Sequence, residues 1–257
     1  MRSTLVAALL TLGVSASAVA QKGEPRGAFA DDDYQPNVPY TGRFTMARIK
    51  YTPLNTMAGF GGMRYDPKWD HDYRKSEFHF MKIMDELTTL KARTDASTIF
   101  TFDDPELFKF TVAYLCEPGF WNPSEKEIAG ARAWLKKGGF LIIDDLVGNQ
   151  MYNLEAVLRK VLPEARMIPL TAQHPIFDAF YRIESLDYEH PYFRGFPSVF
   201  FGIFEDNDPT KRMMAVIDYN NDISEYWEFS DTGFFPIALS NDAYKIGVNY
   251  VVYSLTR

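Results

Sequence analysis

The sequence predicts an α/β fold: a mostly parallel sheet flanked by helices, with a hairpin and a helix at the C-terminal end. Three observations predict it. Residues 110–115, Phe-Thr-Val-Ala-Tyr-Leu, are nearly all apolar, as expected of a strand buried on both faces. A capping box, Ser124-x-x-Glu127, then opens a helix, and 140–143, Phe-Leu-Ile-Ile, follows as a second short apolar strand. A strand–helix–strand run of this kind places its strands in parallel. Residues 198–205 and 212–219 read as two strands joined by a polar turn, hence a hairpin on the sheet.

The remaining elements follow from local pattern. Residues 44–51 form the first strand. A loop over 52–71 follows, carrying Gly59, Gly61 and Gly62 without the Lys or Ser/Thr spacing that cradles a phosphate. A helix over 73–91 takes Asp72 as its N-cap, and Phe78, Met81, Met84, Leu87 and Leu90 recur as its core stripe. Residues 97–101 form a strand. In the capped helix Ile128, Ala131, Trp134 and Leu135 share a face, Lys136 and Lys137 complement the dipole, and Gly138-Gly139 stops it. The strand over 140–143 ends at Asp144-Asp145. A helix over 151–162 is closed by Pro163, and a strand near 165–169 leads to the His174-Pro175 loop. Residues 220–236 are polar and aromatic. A final helix over 241–256 takes Asn241 as N-cap and turns Tyr244, Val248, Val251 and Val252 inward.

Composition bounds the function. The chain has 257 residues, 46% hydrophobic and 24% charged, which are ordinary globular values. A net charge of −7 argues against a phosphate-tracking surface and so against nucleic acid as a partner. Arg2, a short apolar stretch and the small-x-small site Ala18-Val19-Ala20 read as a secretory signal. The expected organisation is a signal peptide over 1–20, a flexible linker over 21–42 and a single α/β domain over 43–257. The location is then periplasmic or secreted, with no transmembrane anchor after cleavage. Cys116 is the only cysteine, which excludes an internal disulfide, and it reads as a small buried hydrophobe at a strand end.

In an open parallel sheet, ligands bind beyond the carboxyl ends of the strands. That rule nominates Glu117, Asp144, Asp145 and the loop holding His174 as ligand-binding or acid/base groups. Helix capping by Asp145 and a turn role for His174 are the structural alternatives. A second cluster is Asn220, Asp222, Trp227 and Glu228, in which an Asx turn and a core tryptophan are the plainer reading. Trp69 and Trp227 are expected at a binding rim. Residues 69–73, with Asp70 and His71, precede the first helix, and no metal site is assigned to them. No H-E-x-x-H, paired cysteines or G-x-S-x-G occurs, which excludes a conventional zinc protease or serine hydrolase.

Segments across the domain resemble the bacterial domain of unknown function 4159 family. They are 44–51 (FTMARIKY), 69–73, Leu107-Phe108, Glu117-Pro118-Gly119 with Trp121, and 138–145 (GGFLIIDD). His174-Pro175-Ile176-Phe177 with Tyr181, Asn220-x-Asp222 leading to Trp227-Glu228, and 247–253 complete the set. The resemblance implies a class I glutamine amidotransferase-like, flavodoxin-like three-layer sandwich. Catalytic relatives of that fold carry a Cys on the sharp turn after the strand that here is 140–143, whereas this sequence has Asp144 or Asp145 there. The resemblance therefore implies the fold and argues against the activity. The expected role is a non-catalytic domain binding a ligand or an envelope protein partner. The alternative is a hydrolase of an envelope glycan or amide using the strand-end carboxylates and a His, with or without metal assistance. No cofactor follows from the sequence.

Overall fold

Strands β1 (Ala47–Ile49), β2 (Thr98–Phe100), β3 (Val112–Cys116), β4 (Phe140–Leu146), β5 (Ile168–Pro169), β6 (Val199–Phe204) and β7 (Met213–Tyr219) make one sheet. Its order is β2-β1-β3-β4-β7-β6-β5. The computed structural model describes residues 36–54, 66–95 and 98–257, all within the unit Gln35–Arg257. The expected signal peptide, most of the linker and 55–65 of the glycine-rich loop lie outside the described residues.

The pairs joining β2, β1, β3, β4 and β7 are all parallel. The hairpin β6–β7 is antiparallel, as is β5 on β6. The strand–helix–strand unit is β3, α2 (Glu125–Lys136) and β4. Both bonds of its capping box form: Ser124 Oγ accepts from the Glu127 N–H at 3.3 Å, and Glu127 Oε2 accepts from the Ser124 N–H at 2.7 Å. All of β3 is buried, as a strand covered on both faces requires.

Tyr114, Cys116, Ile142 and Val216 project from one sheet face into a core shared with α1 (Lys75–Leu87), α4 (Ile223–Glu228) and α5 (Ile237–Thr256). The alternate residues Leu115, Ile143 and Ile217 face the other way and are fully buried. Buried Ile128, Leu135, Leu154 and Val157 come from α2 and α3 (Met151–Val161). The result is helix, sheet and helix in three layers. Among the described residues no helix is long and apolar enough to cross a membrane.

Five details depart from the sequence reading. In α1 the buried stripe is Phe80, Met81 and Met84 with Ser76 and Glu77, while Phe78 and Leu87 are exposed. The cause is Glu77, turned inward to pair with buried Arg48. Asp72 does not cap α1, because it and Arg74 have positive φ and the helix begins at Lys75. β4 does not end at Ile143 but runs to Leu146 through a register shift. The helix α4 was hidden in a polar segment, being too short to display a period. Finally, α5 starts at Ile237 with Pro236 as N-cap, so Asn241 lies inside it.

Candidate functional site

The carboxyl ends of β3 and β4 are adjacent, with Cys116 paired to Asp144. The backbone turns left-handed on both strands there: Glu117, just beyond β3, has φ 44°, and Asp145, at the register shift near the end of β4, has φ 56°. Non-glycine residues seldom adopt such backbone, and the cost is of order 1–3 kcal/mol each. For Glu117 it runs against the extended preference of a residue preceding proline. Tyr51 holds that turn by donating its hydroxyl to the carbonyls of Cys116 at 2.8 Å and Glu117 at 2.7 Å.

The segment before α1 completes the rim. His71 Nδ1 lies 3.3 Å from Glu117 Oε1, and His71 Nε2 lies 2.8 Å from Asp66 Oδ1. Lys68 Nζ bridges the same two acids, at 2.7 Å from Asp66 and 3.3 Å from Glu117. Burial opposes a charge on His71, but Glu117 and then Asp66 outweigh it and raise its pKa to about 9. The imidazole is therefore an imidazolium at neutral pH, clasped between two carboxylates.

Asp145 is raised well above the usual carboxylate range, first by burial and then by Glu117, Asp72 and Asp144. Cys116 Sγ lies 3.7 Å from its Oδ2. The thiol is itself pushed up by burial and by Asp145, so Cys116 is the buried hydrophobe its sequence context suggests and not an activated nucleophile.

Among the described residues two donor sets could reach a cation: His71, Glu117 and Asp145, or Asp72, Cys116 and Asp145, each with ligand atoms within 4.8 Å of one another. Both His71 nitrogens already face carboxylates, so the first set is an ion-pair chain rather than a ready metal centre. What the rim offers chemically is the Glu117 side chain, contacted by His71 and Lys68, beside the buried Asp145 carboxyl, whose pKa is raised by burial. A buried acid with a raised pKa beside an ion-paired one suits binding of donor groups or acid–base work.

The other sequence candidates divide. Asp144 faces inward: its Oδ2 accepts from the Tyr114 hydroxyl and from the main-chain N–H of Ile223 at 2.8 Å and Ser224 at 3.2 Å. Asp222 is the N-cap of α4, its Oδ1 accepting from the Glu225 N–H at 3.0 Å. Ser224 Oγ lies 2.8 Å from Asp72 Oδ2 and 3.2 Å from Asp222 Oδ1, joining α4 to the rim. Asn220 ties loops, accepting from the Gly148 N–H and donating to the Pro197 carbonyl. Trp227 is core, stacked on Phe80 at 4.3 Å, and Glu228 ends α4 half-buried. Trp69 is buried as well, so neither tryptophan is at a surface rim.

His174 is not part of the site. Its ring packs on Phe204 and Tyr253, and Phe204 pairs with Met213 at the start of β7. That is the opposite end of the sheet from Asp145. Its Nδ1 accepts from the Ile176 N–H, the turn role that competed with a functional one. The histidine at the rim is His71, which the sequence reading singled out with Asp70 ahead of the first helix but did not join to the strand-end acids; Asp66, Lys68 and Tyr51 it missed. The one available signal was position, a His just before the helix that follows the first strand.

Comparison with family models matches residues 45–255 to one family, described as Domain of unknown function (DUF4159). No curated protein matches the chain.

Proposed function

The chain belongs to the DUF4159 family, and from that premise we propose that it is an exported α/β domain that binds a ligand at the rim beyond β3 and β4. One observation carries this reading: Glu117 and Asp145, each on left-handed backbone, bring their carboxylates beside His71. Strain of this kind persists where the surrounding fold enforces it, and it concentrates at functional sites. The rim's acids, Glu117, Asp145 and Asp66, suit a ligand presenting hydroxyl or amino donors, such as an amino sugar or a diamino acid of the cell envelope. The N-terminal stretch around Arg2 and Ala18-Val19-Ala20 supports export. An envelope protein offering a basic side chain to the same rim is the partner form of this reading.

A second reading, hydrolysis of an envelope glycan or amide, has its own observation. The φ of 56° at Asp145, at the register shift near the carboxyl end of β4, holds a carboxyl group on strained backbone next to Glu117 and His71. Asp145 would then donate a proton and Glu117 accept one, with His71 in place of His174.

The test is calorimetric titration of the protein from Gln21 onward with amino sugars, diamino acids and envelope glycan fragments. The expected result is binding by at least one of these classes that Glu117→Gln or Asp145→Asn weakens tenfold or more. Binding that neither substitution alters, or none at all, would overturn the reading. Turnover of the bound fragment that Asp145→Asn abolishes would favour hydrolysis.

A further inference from the structure

Asp144 and Asp218 stand side by side beneath the helical layer. Ile143 pairs with Ile217 across the parallel strands β4 and β7, the last matched position before the register shifts, and the two aspartates follow it, opposite Cys116 of β3 and Phe200 of β6 and close enough for the Asp144 charge to act on Asp218. Both therefore project from the same sheet face, and neither has any exposed surface. Their bonding is unequal. Asp144 Oδ2 accepts from the Tyr114 hydroxyl and from the Ile223 and Ser224 N–H groups. Asp218 Oδ1 accepts from the Tyr250 hydroxyl at 2.6 Å. The second oxygen of each, Asp144 Oδ1 and Asp218 Oδ2, is sealed from solvent and has no hydrogen-bond partner among the described residues.

A buried acceptor without a donor costs about 1–3 kcal/mol, and two adjacent buried carboxylates cannot both carry charge. One proton placed between the two orphaned oxygens removes both costs. We propose that Asp144 and Asp218 share a single proton, carried on Asp218 Oδ2 and donated to Asp144 Oδ1, as a lock that holds the start of α4 against β4 and β3.

The assignment of the proton follows from the donors. Asp144 receives several and is the better-stabilised anion, whereas Asp218 receives one and therefore holds its proton more tightly. Among the described residues, the groups facing the pair supply no cation that binds either orphaned oxygen. The pair is faced by Tyr114 and Cys116 from β3, Asp145 from β4, Asp222 and Tyr226 from α4, and Tyr250 from α5. The nearby cation, Arg48, lies 4.6 Å over the Tyr114 ring and is engaged by Glu77. Burial first, and Asp144 second, raise Asp218 well above the usual carboxylate range, in the sense this arrangement demands. The lock stands or falls independently of what binds at the rim.

The linkage has a definite sign. A carboxyl whose folded pKa is raised contributes stability below its unfolded pKa of about 4 and loses it as pH rises toward the folded value. Asp218→Asn replaces the shared proton by an amide N–H that cannot be titrated away, and its carbonyl still accepts from Tyr250. Thermal melts from pH 5 to pH 9 should show a wild-type Tm that falls with pH and a variant Tm that falls several degrees less. The two curves should converge at low pH. Parallel curves, or a variant less stable than wild type by the same margin throughout, would overturn the proposal. Infrared spectra of wild-type protein with 13C-labelled aspartate supply a second readout independent of that variant's folding. A protonated carboxyl band should persist at pH 7, also in Asp145→Asn and Asp222→Asn, and its absence from any of these three proteins would equally overturn it.

Discussion

His71 Nδ1 lies 3.3 Å from Glu117 Oε1, so the segment before α1 is fastened to the turn after β3 by an imidazolium–carboxylate pair. The opposite nitrogen is held by Asp66 at 2.8 Å, which leaves the ring no freedom to flip without breaking both contacts.

The pH dependence of that pair is predictable. The folded pKa of His71 is about 9, above its ordinary value of 6.5. Its stabilising contribution is therefore complete below about pH 6.5 and is lost as pH rises through about 9. The stability difference between wild type and His71→Gln, from urea unfolding, should be constant at acidic pH and shrink above pH 8. Its ceiling is about 3 kcal/mol. A difference that grows with pH would contradict the pairing.

Arg48 and Glu77 form a second pair, deeper and of another kind. Glu77 Oε1 accepts from Arg48 Nε at 2.6 Å, both side chains are almost wholly buried, and Arg48 also donates to the Trp69 and His71 carbonyls. Removing one member strands a charge in the core, at a cost of about 3–5 kcal/mol. Glu77→Leu should therefore lower the unfolding free energy by that amount. Arg48→Met combined with Glu77→Leu should recover much of it, because two apolar side chains leave no stranded charge. A double variant no more stable than the single one would show that the carbonyl bonds of Arg48 dominate instead.

The same pair explains which parts of the fold were legible. Elements set by runs of apolar residues or by local capping were readable, as with β3, β4, the hairpin and α2 with its Ser124–Glu127 box. Where an inward-facing charge decided orientation, pattern misled: Glu77 turns α1 so that Phe78 faces solvent. The helix α4 escaped because Asp222 caps six residues, too few for periodicity to show. At the site, the carboxyl-end rule found Glu117 and Asp145 because the ladder itself delivers them. It gave no access to His71, which arrives from a loop by a long-range contact, and it admitted His174, whose loop doubles back over the sheet. The segments that carried the family resemblance do meet in space. Asn249 accepts from the Phe180 and Tyr181 N–H groups, and Asp144 accepts from α4.

Gly247 marks a close approach with a clear consequence. A Cβ there would stand 2.5 Å from Trp227 Cζ2 and 2.8 Å from Phe80 Cε2. Those rings stack on each other in the core and cannot yield as a flexible side chain would. Gly247→Ala gains about 1 kcal/mol in helix propensity within α5, but overpacking of this kind costs about 1–3 kcal/mol. A net fall in Tm is expected, and Phe80→Leu in the same chain should reduce the penalty, as a double-mutant cycle would show. An Ala variant more stable than wild type would mean that the helix shifts away from the stack at no cost.

His190 behaves oppositely to His71, although each faces a carboxylate. It is fully buried, with its ring against Phe193, Tyr226 and Phe235. Its Nδ1 accepts from the Tyr192 N–H at 3.4 Å, and Nε2 stands 3.6 Å from Glu225 Oε2, beyond hydrogen-bond reach. Burial therefore prevails and lowers its pKa from 6.5 to about 4. The unfolded chain binds a proton at this residue between those two values and the folded chain does not, so folding loses stability as pH falls from about 6.5 toward 4. The loss is at most about 3 kcal/mol. His190→Phe keeps the aromatic packing and removes the titration, so its stability should fall less than that of wild type across this window. The His190 Hε1 resonance should stay at its neutral position down to pH 5. A resonance that titrates near pH 7 would show that Glu225 closes on the ring in solution, and the predicted acid sensitivity would then vanish.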